Sequence, residues 1–221
     1  VTGKLFPRDD TFVSVEEFQR LSNTLTGCVQ VQAPLPGPSS DYVSMFDRLV
    51  VFDDLLETGQ GDPYKWSPIP IDRTASSSTL AGWMSLPFAG PTEILLPGYH
   101  PGAANGLKRN SPKNAGDEVF LSVCGMMASG ARTILLSRWR PAGQASYDLV
   151  REFAQELPHT APTDAWQRSV QLGTQTPIDP EAEPRVKAAG IDEPPAAVHP
   201  FFWAGYMLID TGVPHLTDDG P

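Results

Sequence analysis

Cysteine is scarce in this chain: Cys28 and Cys124 are the only two in 221 residues. Two thiols are too few for a disulfide framework or a Cys-rich zinc site, so the composition suits a reducing interior and the chain reads as cytoplasmic. Positive charge is also short, with 16 Lys plus Arg against 26 Asp plus Glu and a formal net charge of −10. Binding to a phosphate backbone rests on Lys and Arg displacing counterions, so nucleic acid is excluded as a partner. Long hydrophobic runs are missing as well. The longest mostly apolar stretch, Phe201 to Ile209, is about half of the roughly 20 residues that cross a bilayer, so no membrane span is expected. No phosphate loop, zinc-ligand spacing or Gly-x-Ser-x-Gly elbow occurs. Gly59-Gln60-Gly61 lacks a third glycine at Tyr64, which removes the dinucleotide fingerprint and leaves no cofactor to expect. The chain begins at Val1, with neither an initiator Met nor a signal-peptide pattern, and reads as a piece of a longer protein.

What is present is enough for a globular core. Apolar residues make up 40%, and 23 prolines with 19 glycines predict rigid loops and short elements, since proline is at about twice its average share. Ser14 with Glu17 forms a capping box for a helix over Val13 to Leu25. Cys28 to Gln32 alternates as a strand before the Pro/Gly/Ser cluster at 34–40. Ser39 or Ser40 then caps a helix carrying Tyr42, Val43, Phe46 and Leu49, followed by a buried strand at Leu49 to Phe52. A long loop covers Thr58 to Ser78 and a short helix Leu80 to Leu86. The apolar runs Glu93 to Leu96 and Thr133 to Ser137 are further buried strands. Between them, Val119, Phe120, Val123, Cys124 and Met127 mark the inner face of a helix over 117–129, ended by Gly130. A helix from Gln144 to Leu157 buries Leu149, Val150, Phe153 and Leu157, and Thr163 caps another containing Trp166, Val170 and Leu172. Thr174 to Val198 is a surface excursion, and Phe202 to Ile209 is the last strand.

Alternating helices and near-continuous apolar strands give an α/β fold, a mostly parallel sheet with helices on both faces. Three regions divide the chain: an N-terminal extension with a short helix over 1–27, the α/β domain over 28–212, and a tail over 213–221. In such sheets function gathers at the carboxyl ends of the strands. Those ends carry Asp53-Asp54, Gly98-Tyr99-His100 and Arg138-Trp139-Arg140.

Two blocks resemble a known family. Ala128-Ser129-Gly130-Ala131-Arg132-Thr133-Ile134-Leu135-Leu136-Ser137-Arg138-Trp139 resembles the helix-to-strand segment of CHAT domains, caspase-like modules related to separase-type cysteine peptidases. His199-Pro200-Phe201-Phe202-Trp203-Ala204-Gly205-Tyr206-Met207-Leu208-Ile209 is similar to the family's closing strand. The resemblance covers 28–210 and implies a caspase-like three-layer sandwich. In that family a His ends one strand and a Cys ends the next, so that the imidazole takes the thiol proton and the thiolate attacks a peptide carbonyl. By the resemblance, Asp53 or Asp54 stands at the His position and Tyr99 at the Cys position, with Gly102 at a following glycine. A carboxylate does not fill the His role in the usual way, and a phenol with pKa about 10 is a weak nucleophile. The resemblance thus implies a catalytically degenerate module of a larger bacterial intracellular protein. It would bind a protein or peptide partner around Asp53, Asp54, Tyr99 and His100, and self-association through an edge strand is a further expectation.

Each of these residues also has a plainer role. Asp53 and Asp54 with His100 could ligate a divalent cation, but adjacent carboxylates at a strand end more often start a loop or cap a helix. Tyr99 either anchors a ligand in a relic groove or packs over a strand end. Arg138, Trp139 and Arg140 form either a cation–π platform for an acidic peptide or an Arg stacked on Trp139. His199, before Pro200, has a structural hydrogen-bonding role. A second alignment makes His100 the base and Cys124 the nucleophile of a cysteine endopeptidase, with backbone N–H groups near Gly98 or Gly125 as oxyanion donors. It requires Val119 to Val123 to be a strand, which leaves only about six residues before Ala131 where a parallel crossover takes a dozen or more. Helical spacing instead puts Cys124 on a buried face, where a thiol is inert.

Overall fold

The computed structural model describes residues 2–3, 19–20, 23–24, 45–52, 55–57, 79–85, 90–101, 117–138, 143–179, 183 and 197–212. In chain order these hold β1 (Thr2–Gly3), β2 (Arg48–Phe52), β3 (Leu55–Glu57), α1 (Leu80–Met84), β4 (Glu93–Leu96), β5 (Tyr99–Pro101), α2 (Asp117–Ala128), β6 (Thr133–Ser137), α3 (Gln144–Glu156), α4 (Pro162–Gln175), a 3-10 turn (Pro200–Phe202) and β7 (Tyr206–Asp210).

The main sheet has the order β1-β2-β4-β6-β7, parallel throughout except for β7. Its register aligns side chains in rows. Leu49, Ile94, Ile134 and Ile209 lie opposite one another across four strands, and Val50, Leu95, Leu135 and Leu208 form the next row. Because side chains alternate along a strand, the rows face opposite ways. Val50, Phe52, Leu95 and Leu135 pack with Tyr147, Leu149, Val150, Phe153 and Ala165 of α3 and α4. Leu49, Val51, Ile94, Leu96, Ile134 and Leu136 pack with Leu80 of α1 and Met126 of α2. The sheet is therefore covered on both faces, which is why its strands read as unbroken apolar runs. Each such side chain contributes about 1.5–3 kcal/mol on full burial.

Connectivity accounts for the strand directions. Among the described residues, α2 is the helix between the parallel neighbours β4 and β6 and returns the chain to the starting edge. Among the described residues, α3, α4 and the 3-10 turn lie between β6 and β7, and β7 runs antiparallel to β6. Arg48 and Glu93 tie the start of β2 to the start of β4 by an ion pair, and the Arg48 guanidinium also donates to the Ala154 carbonyl at 3.1 Å. Gly130, at φ 110°, ends α2 in a conformation that glycine takes without a Cβ penalty.

Several expectations need correction. Residues 45–47 form a turn and a bend, so no helix runs from Ser39 or Ser40 into Leu49. The rest of that segment, the Cys28 to Gln32 strand and the Ser14 capping box lie outside the described residues, although 19–20 and 23–24 are helical. The last strand starts at Tyr206, not Phe202, because Pro200 directs a 3-10 turn first. Pro162 opens α4 behind Ala161, so Thr163 is not its cap, and Leu172 faces solvent. In α2 the inner line is Val119, Ser122, Val123 and Met126, while Phe120 is 66% and Met127 39% exposed. The 174–198 excursion is anchored: Ile178 and Ala197 join Phe202 in a small separate core.

Candidate functional site

The candidate site is the carboxyl edge of the parallel sheet. There the chain continues past β2 into β3 and past β4 into β5, and these form a second parallel pair with Leu55 opposite Tyr99, Leu56 opposite His100 and Glu57 opposite Pro101. Since β2 and β4 are themselves paired, two strand ends run side by side across both ladders. The backbone thus brings the segment after Phe52 beside the segment after Leu96. Asp53 and Asp54, which bridge β2 to β3, lie outside the described residues, and of His100 only the backbone position in β5 is described.

Tyr99 is fully buried and belongs to the core face of Leu49, Val51, Ile94, Leu96 and Met126. Its ring packs over the strand end, the plainer of the two roles considered for it. Its side chain is enclosed from solvent. Pro97 and Gly98 form the turn that redirects the strand and lets the next residue insert its ring.

Cys124 lies in the middle of α2, so the strand-end alignment behind a His100 and Cys124 dyad is not realised. The carboxyl end of α2 is fixed at the opposite edge of the sheet: Ser129 accepts from the Gly90 N–H, and Met126 accepts from the Ala131 N–H at 3.1 Å. Cys124 is about one helical turn back from that edge, whereas His100 lies beyond the far end of β4. The two positions lie on different elements, Cys124 within a helix that covers the sheet and His100 in the short strand past its carboxyl edge. A base must be within about 3 Å of the proton it takes. Nor is the residue fully buried as the spacing predicts: Cys124 is a free, half-buried cysteine.

The remaining candidates resolve simply. The His199 Nδ1 accepts from the Phe201 N–H at 3.2 Å and caps the 3-10 turn, the structural role expected of it. Arg138 is exposed, and its N–H donates to the Gly205 carbonyl at 2.7 Å; Trp139 and Arg140 lie outside the described residues. Among the described residues no group of three His, Cys, Asp or Glu side chains is placed to hold a metal ion, and no helix is long and apolar enough to cross a membrane.

One polar feature was invisible in the sequence. Glu183 is only 2% exposed, and its Oε1 accepts from the Ala145 N–H at 2.6 Å, so it caps α3 from 38 residues away. The helix has no cap of its own: Gly143 stands at the N-cap with φ 96° and supplies no side-chain bond. A Cβ at Gly143 would collide with the Glu183 carboxylate. Beside them Gln144, Asp148, Gly173, Ile178 and Asp179 help line a hollow of about 30 Å³. That holds roughly one water molecule and falls far short of a metabolite pocket. The one available signal was the missing Ser, Thr, Asp or Asn before Gln144, which obliges a cap to come from elsewhere.

Comparison with known proteins adds no neighbour: no family model matches the chain, and no curated protein or solved structure matches it significantly.

Proposed function

We propose that this chain is a catalytically degenerate, caspase-like module of the CHAT type that acts by binding a protein or peptide, not by cutting one. The observation that carries the reading is the side-by-side placement of the β2 and β4 ends, continued by the β3 and β5 pair. That adjacency is what a His-ended strand and a Cys-ended strand require, and here the matching positions hold Asp53 or Asp54 and Tyr99. Covered faces on both sides of the sheet agree with a caspase-like sandwich. Tyr99, sealed in the core, offers no accessible nucleophile at the Cys position. The strand ends with His100 provide the surface for a partner. Scarce cysteine suits a reducing compartment such as the cytoplasm.

The test is hydrolysis of a fluorogenic peptide pool that covers all residue types before the scissile bond. The full chain is expected to release no more fluorophore than buffer does. Turnover that Cys124→Ala or His100→Ala abolishes would overturn the proposal in favour of a cysteine endopeptidase.

A further inference from the structure

We draw no further inference here: the strongest candidate, the outward stripe of Phe120, Cys124 and Met127 on α2, is an apolar helix face, and nothing in the structure shows what covers it.

Discussion

Glu183 and Tyr99 are the two side chains whose surroundings most constrain what this molecule can do. The Glu183 carboxylate satisfies an N–H at the start of α3, and a negative charge there also suits the helix dipole. Glu183→Ala is expected to lower stability by about 1–2 kcal/mol, in the range of a lost cap, while Glu183→Gln keeps an acceptor oxygen and loses less. Urea midpoints for the two variants check the order; equal midpoints would remove the capping role. Tyr99 separates packing from binding more sharply. Its ring fills the core beneath the carboxyl edge, so Tyr99→Ala is expected to cost about 3–5 kcal/mol, as for other large aromatic truncations. A ring that served a ligand groove would leave the melting temperature nearly unchanged on truncation.

Among the elements, α2 tests how far a helical pattern can be read without a partner surface. Its existence and limits follow from the acidic start, the apolar spacing and Gly130, and the structure places it at Asp117–Ala128. The face it buries differs from the one its apolar spacing predicts: Phe120 and Met127 are larger and more apolar than Ser122, which nevertheless points inward. Hydrophobicity ranks side chains, but the direction in which α2 leaves the β5 side and meets β6 decides which line of them touches the sheet. Met126→Ala is therefore expected to cost about 2–5 kcal/mol and Phe120→Ala to stay within about 0.5 kcal/mol. Denaturant titration of both checks the face, and the reverse order would restore the inner line drawn from composition. Strands β2, β4 and β6 were legible for a related reason: burial on both faces leaves mostly apolar residues, so each run announces itself. The three-residue strands β3 and β5 were not, since their order comes from pairing with each other and not from any alternation of their own. The Arg48 and Glu93 pair escaped notice too, because 45 residues separate partners that only the parallel register brings together.

At the scale of the whole molecule, the position of the thiol relative to the sheet's carboxyl edge decides between binding and cutting. The carboxyl edge, where an α/β sheet keeps its chemistry, holds a buried phenol and a backbone ladder, and Cys124 sits toward the other end of a covering helix. A thiol is an effective nucleophile only when a neighbouring base or cation raises its thiolate fraction. The backbone of His100 belongs to β5, whereas Cys124 belongs to α2. The sequence carried this distinction as well, through the short span from Cys124 to Ala131, which a helix turn satisfies and a parallel crossover does not. What it could not carry was the partial exposure of Cys124, since that depends on the rotation of α2. The most direct measurement is the rate of iodoacetamide alkylation at Cys124 in the folded protein at neutral pH, read by peptide mass spectrometry. The account predicts labelling no faster than in the urea-unfolded chain and unaltered by His100→Ala; rapid stoichiometric labelling that His100→Ala suppresses would contradict it.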